Sequence, residues 1–221
     1  MQSSEGRSGR VSRSAFLWLF AGLLLSAPAF ANWEKIDDEE GIRVFRKEVP
    51  GSSVVAFRGE ATVEASIEKV LWVLGDNTHR TEWVDRLEKS VVLERKGPYE
   101  SIVYQHFSLP FPASDRDYVY RGKATRDKSG VVTLLLESVT HPKAPPTVGV
   151  RANLIKSRYL LTPKGKDRTF VVVEIHTDPM GSLPSFLVNL VQKSWPMKTM
   201  MGLREHLKKS YIGTTALPPM E

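Results

Sequence analysis

Residues 109–121, which read L-P-F-P-A-S-D-R-D-Y-V-Y-R, place charged side chains next to aromatic ones in a segment that favours a strand. The prolines hold its start extended, and Tyr-Val-Tyr has strong strand preference. Because side chains alternate along a strand, Arg116, Tyr118 and Tyr120 share one face and Asp117 lies on the other. Whichever face looks inward buries a charge, which is costly when unpaired. We therefore expect a partner side chain or a polar ligand to meet it.

The sequence carries no pattern typical of covalent or metal catalysis. It has no G-x-S-x-G elbow and no glycine-rich phosphate loop. Its histidines are scattered, without the helical i, i+4 spacing of a zinc site. We therefore predict a protein that is not an enzyme and that uses no cofactor and no metal. The histidines are His79, His106, His141, His176 and His206.

Charge and composition narrow the range of binding partners that the protein can have. The 221 residues include 31 basic and 25 acidic side chains, giving a net charge of +6 at pH 7. Both signs are mixed along the chain, and no basic tract or recognition motif is present, so nucleic acid is not a predicted partner. A weak attraction to anionic membrane surfaces remains open. With no cysteine in the chain, disulfides and a lipid-modified cysteine are excluded.

The first 31 residues are typical of an export signal. Three arginines precede an apolar run at residues 15–25, and A-F-A at 29–31 resembles a signal-peptidase site. The apolar run is shorter than the roughly 20 residues that a membrane-spanning helix needs, which disfavours the alternative of an uncleaved anchor. We expect a signal peptide over 1–31, a mature chain from Asn32, and a location in a bacterial periplasm or outside the cell.

The mature chain predicts a single domain over 32–212 with a flexible tail at 213–221. Apolar residues recur at helical spacing over 64–74, and the proline-rich segment 141–147 argues against any regular element there. Turn signals separate the predicted strands, and short links favour antiparallel hairpins. The predicted strands cover 41–47, 54–63, 87–95, 101–109, 116–126, 131–139, 148–161 and 169–177.

A last apolar segment predicts a long C-terminal helix. Ser182 is its predicted N-cap, with Pro184 in the first turn and Pro196 in the middle. An antiparallel sheet of this length must cover one face, and this helix is long and apolar enough to do so. The predicted class is therefore α+β, with a curved antiparallel sheet wrapped around the C-terminal helix. The helix stripe comprises Leu183, Phe186, Leu187, Leu190, Val191, Met197 and Met201.

Two segments resemble a known family. The segment L-P-F-P-A-S-D-R-D-Y-V-Y at 109–120 is similar to the R-D-Y-V-Y strand of START (steroidogenic acute regulatory-related lipid transfer) domains. The segment D-P-M-G-S-L-P-S-F-L-V-N at 178–189 resembles the start of that family's C-terminal helix. The likeness spans roughly residues 33–207 and is strongest to the phosphatidylcholine-transfer branch. It implies a START/Bet v 1-like helix-grip fold with an internal tunnel that holds one lipid.

The resemblance also implies roles for particular residues. It makes Arg116 the tunnel arginine that contacts the lipid headgroup, and it makes the 141–147 loop and the final helix the elements that open for lipid. The chain departs from the steroid-binding branch, whose second arginine would fall at Gly122; here Arg121 lies one place early, on the opposite face. The acid–arginine pair linked to cholesterol is thus in doubt, and no choice between cholesterol and phospholipid is made.

The predicted function is binding of a single phospholipid or sterol-like lipid in an internal tunnel and its transfer between membranes, by a monomer with transient membrane contact. Two alternatives stay open: an aromatase/cyclase-type enzyme on the same scaffold, and a non-transporting sensor or envelope-assembly partner. Arg116 and Asp117 have structural ion pairing as their alternative role, and the aromatic residues have plain core packing. The candidate ligand-binding residues are Arg116, Asp117, Tyr118, Tyr104, Trp83, Tyr159, Phe186, Leu190 and Met197.

Overall fold

A computed structural model describes residues 32–183, 185–213, 218 and 220, without the side chains of 185–193. The predicted signal peptide, residues 1–31, lies outside these residues, as do the side chains of Phe186 and Leu190. The strands are β1 (Glu34–Glu39), β2 (Ile42–Lys47), β3 (Ala56–Val63), β4 (Leu87–Gly97), β5 (Glu100–Phe107), β6 (Arg116–Arg126), β7 (Val132–Ser138), β8 (Val150–Arg151), β9 (Asn153–Pro163) and β10 (Thr169–Asp178). The helices are α1 (Ile67–Gly75) and α2 (Ser185–His206), with a 3-10 turn at Arg80–Glu82.

One sheet contains all ten strands, in the order β1-β2-β3-β10-β9-β7-β6-β5-β4, with β8 paired to β6. Neighbours along this order are antiparallel, whereas β8 runs parallel to the start of β6. The predicted strand 148–161 is therefore two strands that break at Ala152, whose amide donates to the Asp117 carbonyl. Strand β1 was not predicted, because its E-K-I-D-D-E sequence is almost entirely exposed and lacks apolar alternation.

Helix α1 follows its predicted apolar stripe. Ile67, Val70, Leu71 and Leu74 are buried, as the helical spacing requires. The helix starts later than predicted because Ser66 is its N-cap and accepts a hydrogen bond from the Lys69 amide at 3.4 Å.

Helix α2 covers the sheet as predicted. It begins at Ser185, three residues after the predicted N-cap Ser182, continues through Pro196, and packs on β2 and β3. The approach is close, since a side chain added at Gly59 would lie 3.0 Å from Pro196 Cβ. Met200 and Leu203 are fully buried in the resulting core. In the described part of the chain, no helix has the length and apolarity required to cross a bilayer.

The C-terminal residues that the structure describes contact the domain. The Tyr99 hydroxyl donates to the Pro218 carbonyl, and Met220 packs against the main core. These contacts fall within the segment predicted as a flexible tail. The tail's remaining residues, 214–217, 219 and 221, lie outside the described part.

Candidate functional site

A hollow of about 140 Å³ lies between the inner face of the sheet and α2. Its walls are mainly aliphatic and aromatic. They come from strands β3, β5, β6, β7, β9 and β10, from the loops at 80–86, 109–113 and 179–183, and from residues 195–196 of α2. Such a cavity is close in size to one that holds a benzene molecule in a protein core. Representative apolar wall residues are Phe57, Phe107, Leu154, Ile175 and Trp195.

The face of β6 that carries Arg116, Tyr118 and Tyr120 looks into this hollow. Tyr159 of β9 joins them, and the Thr177 hydroxyl donates to the Tyr118 hydroxyl at 3.3 Å. Burial raises the pKa of Tyr118 and Tyr120, and it raises the pKa of Tyr159 to about 12. These hydroxyls therefore stay protonated and act as hydrogen-bonding groups within an apolar wall.

Arg116 is buried, with 3% of its surface exposed, and its guanidinium donates to backbone carbonyls. Nε donates to Pro179 at 2.5 Å, Nη1 to Ser114 at 2.5 Å, and Nη2 to Met180 at 3.0 Å. Burial lowers its pKa. The ion pair considered from the sequence is not formed with any described carboxylate. Arg116 instead fastens the start of β6 to the segment that precedes α2.

Asp117 points to the opposite face of β6 and is fully buried. Its carboxylate accepts hydrogen bonds from the Val148 amide at 2.8 Å, from Arg151 Nε, and from the Tyr104 hydroxyl at 3.4 Å. These bonds hold the 141–149 loop against β6. Asp117 and Tyr104 therefore lie behind the wall of the hollow and do not line it, unlike the position predicted from the sequence.

The remaining predicted site residues divide in two groups. Trp83 and Met197 are buried in the main core and do not line the hollow. They therefore do not contact the hollow as predicted. Sequence periodicity marks an apolar side chain as interior, but it does not distinguish core packing from a cavity wall. Phe186 and Leu190 lie on α2 where side chains are not described. Arg116, Tyr118 and Tyr159 are thus the predicted residues that the fold brings together.

Arg80 is a cavity residue that the sequence did not reveal. It lies in the 3-10 turn after α1, is 6% exposed, and lines the hollow. Nη1 donates to the Leu74 carbonyl at 2.6 Å, Nε has no partner, and the guanidinium lies 5.3 Å from the Trp83 ring centroid. No described carboxylate forms an ion pair with it. The connector has no periodicity that would have signalled an inward side chain.

Loops at one end of the sheet surround the opening of the hollow. The loop residues that line the hollow near this opening are Leu109, Pro110, Ala113, Pro179 and Leu183. These two loops carry the exposed apolar side chains Phe111 (94%) and Met180 (46%), and the neighbouring 141–149 loop carries Val148 (44%). A buried polar network holds these loops, while their tips present apolar groups to solvent.

Within residues 32–183 and the other described positions, no three acidic or histidine side chains lie together as metal ligands require. The hollow offers apolar surface, protonated tyrosine hydroxyls and the donors of Arg80, and Asp85, Arg86 and Gln105 also line it.

A curved sheet closed over one long helix, with an apolar hollow between them, defines the helix-grip class of proteins. The START domain model matches residues 23–211, and the chain belongs to the START domain family. The resemblance seen in the sequence is thereby confirmed.

Relatives of known name and structure agree with this assignment. Phosphatidylcholine transfer protein of Bos taurus is 28% identical over 211 residues, covering 92% of this chain and 98% of that protein. An uncharacterized protein of Pseudomonas aeruginosa is 27% identical over 184 residues, covering 80% and 88%. The crystal structure of a STAR-related lipid transfer protein from Xanthomonas axonopodis superposes with a TM-score of 0.72 at 32% identity, covering 80% of this chain and 99% of that one.

Proposed function

We propose that the protein binds a single hydrophobic ligand, a phospholipid or sterol-like lipid, between the sheet and α2, and transfers it between membranes. The observation that carries this is an apolar hollow into which a buried guanidinium, Arg80, faces without an ion pair. The relatives named for phosphatidylcholine or lipid transfer support the same class of ligand. We propose no catalytic step.

The apolar walls supply most of the affinity. Moving apolar surface from water into a dry cavity is favourable by roughly 25 cal/mol per Å². Arg80 supplies the polar contact, because its free Nε and the remaining guanidinium donors suit a phosphate or hydroxyl oxygen. Arg116 is less suited to this role, since backbone carbonyls already occupy its nitrogens.

Loading requires the hollow to widen. At about 140 Å³ it is smaller than the roughly 300–1,000 Å³ of ordinary ligand pockets. The elements proposed to move are the loops around the opening and α2, whose residues 195–196 line the hollow opposite the sheet. We propose that these elements open for lipid transfer and close over the bound ligand.

The apolar loop tips are the proposed site of transient membrane contact. Phe111 and Met180 lie on loops that line the hollow, and Val148 lies on the 141–149 loop, which joins β8 beside the start of β6. A membrane that touches these side chains would lie next to the hollow. An exposed phenylalanine gains about 2 kcal/mol on burial in an apolar phase. We propose that the protein acts as a monomer that touches the membrane through this end.

The expected location is the periplasm, after cleavage of residues 1–31. The arginine-rich start, the short apolar run and A-F-A support this proposal. Cell fractionation followed by N-terminal sequencing tests it, with Asn32 as the expected first residue. A chain that stays cytoplasmic with its arginines intact contradicts it.

Native lipid extraction tests the proposed function. The purified protein is extracted with organic solvent, and its lipids are measured by mass spectrometry against the protein concentration. We expect about one lipid per chain and, in a second assay, movement of labelled phospholipid from donor to acceptor vesicles. A protein that carries no lipid and extracts none from vesicles contradicts the proposal.

A further inference from the structure

Two hairpin turns form part of the sheet end that lies opposite the opening. Strand β6 starts beside the opening at Arg116 and ends 11 residues later at Arg126. Strand β9 ends at Pro163, where it pairs with the start of β10. Eleven residues of extended strand span about 35 Å, so the opening and these turns lie at opposite ends of the sheet.

The two turns are neighbours in the fold, although they are separate in the sequence. Residues 127–131 connect β6 to β7, residues 164–168 connect β9 to β10, and β7 pairs with β9. A Cβ added at Gly130 would lie 3.8 Å from the Pro163 side chain. We call residues 127–131 and 164–168 together the basic end.

Four cationic side chains of the basic end are exposed. In the part of the chain that the structure describes, no carboxylate forms an ion pair with any of them. Lys164 places its Nζ 5.9 Å from the Phe170 ring centroid instead. The four residues are Lys128, Lys164, Lys166 and Arg168.

The acidic residues of the basic end do not neutralise these cations. The Asp127 carboxylate accepts hydrogen bonds from Ser129 Oγ at 2.6 Å, from the Ser129 amide at 2.8 Å and from the Val131 amide at 3.1 Å. These bonds lower the pKa of Asp127 and tie its charge to the turn. With four cations against Asp127 and Asp167, the two turns carry a net charge of +2.

The composition of the basic end favours a lipid surface over a protein partner. Protein interfaces are depleted in lysine and are built around buried aromatic or aliphatic anchors. Residues 127–131 and 164–168 expose no aromatic or aliphatic side chain that could serve as such an anchor. Lysine and arginine bind an anionic membrane surface from outside, without inserting into it.

We propose that the basic end binds the anionic headgroup surface of a membrane. The protein then has two membrane-contact surfaces, an apolar one at the opening and an electrostatic one about 35 Å away. The cations come from two separate hairpins, which explains why the sequence shows no basic tract. The inference does not require a bound lipid, so it can hold or fail independently of the proposed transfer function.

Vesicle co-sedimentation tests this proposal. The purified protein is mixed, at about 0.1 M salt, with vesicles of phosphatidylcholine alone or of phosphatidylcholine and phosphatidylglycerol in equal parts. We expect tighter binding to the anionic vesicles, and we expect Lys128→Gln/Lys166→Gln to lower that affinity about 30-fold, since each lysine contributes about fivefold. Binding to phosphatidylcholine alone should be unchanged. Because salt screens exposed charges, about 1 M salt should abolish the anionic preference of the wild type.

A matched control removes the same charge near the opening. Lys89 pairs with His106 of β5 and Lys156 pairs with His176 of β10, so both lie toward the opening end of the sheet, and both are exposed. Lys89→Gln/Lys156→Gln should keep most of the anionic preference, because its charges lie farther from the basic end than the Debye length of about 10 Å. Thermal unfolding of both double variants should match that of the wild type.

The outcomes separate this inference from its rivals. Equal losses in the two double variants would show that net charge alone attracts the protein, and a larger loss in the control would place the anionic contact at the opening. Either result overturns the proposal. A wild type without anionic preference overturns it as well and favours an acidic macromolecule as the partner of the basic end. If the wild type carries no lipid but its anionic preference depends on Lys128 and Lys166, the transfer function fails and this inference stands.

Discussion

Arg116 and Asp117 are adjacent in the chain, yet their side chains leave opposite faces of β6 and hold different loops. The Arg116 guanidinium donates to the Pro179 and Met180 carbonyls, and the Asp117 carboxylate accepts from the Val148 amide and from Arg151. One dipeptide thus fastens both sides of the opening. This gives the R-D pair a structural role in the loops through which a ligand would pass.

Asp117→Asn is expected to destabilise the fold. The change removes the charge that compensates Arg151 and weakens the bond from Val148 at a fully buried site. Removing one partner of a buried pair costs about 3–5 kcal/mol, and the partial exposure of Arg151 puts this case at the lower end. Urea denaturation measures the loss. Asp127→Asn, in an exposed turn, is the matched control, and equal midpoints for both variants would contradict the prediction.

Arg80 and Arg116 are expected to separate ligand retention from stability. Arg80→Gln should reduce retained phospholipid about tenfold, because a bond to a charged group is worth about 1.5–3 kcal/mol. Arg116→Gln should mainly lower thermal stability, because it loses bonds to several carbonyls of two loops. Lipid content by mass spectrometry and thermal unfolding are measured on both variants. If Arg116→Gln instead lowers the lipid content and Arg80→Gln lowers only the thermal stability, Arg116 is the residue that contacts the headgroup.

Phe111→Asp is expected to weaken membrane association without affecting folding. The side chain is 94% exposed, so the folded protein loses little, whereas burial in a bilayer becomes unfavourable. Partitioning onto phosphatidylcholine vesicles should weaken about tenfold. Val91→Asp, an exposed apolar residue on β4 away from the loops, is the control. Equal partitioning of the two variants would show that the loop tips do not touch the membrane.

Alkaline pH is expected to destabilise the protein through its buried tyrosines. Tyr159 ionises near pH 10 when unfolded, while burial raises its pKa to about 12 in the fold. Between pH 10 and 12 the Tyr159 hydroxyl therefore stays protonated in the folded state but ionises in the unfolded state. The free energy of unfolding is unaffected by this group below pH 10 and decreases between pH 10 and 12. The loss reaches about 2 kcal/mol by pH 12. Urea midpoints across this range should fall less steeply for Tyr159→Phe, and parallel curves would refute the assignment.

Gly202→Ala is expected to destabilise the protein by disturbing the packing of α2, even though alanine favours a helix more than glycine does. A Cβ at this position would collide with the Trp83 carbonyl, so the helix must move away. Such overpacking costs about 1–3 kcal/mol. Gly75→Ala in α1 has open space around its Cβ and should be neutral or stabilising. Thermal unfolding of the two alanine variants compares them, and a stable Gly202→Ala would show that α2 shifts freely.

Local pattern accounts for much of the fold. The buried stripe of α1 follows helical spacing, and turn signals separate the strands from β4 to β10 because hairpins form between neighbours in sequence. Strand β1 was missed since its side chains face solvent and carry no alternation. The break at Ala152 was missed because the pairing of β8 with β6 joins residues that are distant in sequence.

The sequence by itself determined most of the elements, the α+β class with a sheet closed over the last helix, and which side chains of β6 share a face, because side-chain alternation and helical periodicity are local properties. The inward face of β6 was decided by the tertiary structure. Tertiary structure alone decided which buried charges are satisfied and by what. Arg116 finds carbonyls more than sixty residues away, Asp117 turns outward to a loop, and Arg80 enters the hollow from an irregular connector. Backbone carbonyls carry no sequence signature, so a guanidinium bound by them looks, in the sequence, the same as one left open for a ligand.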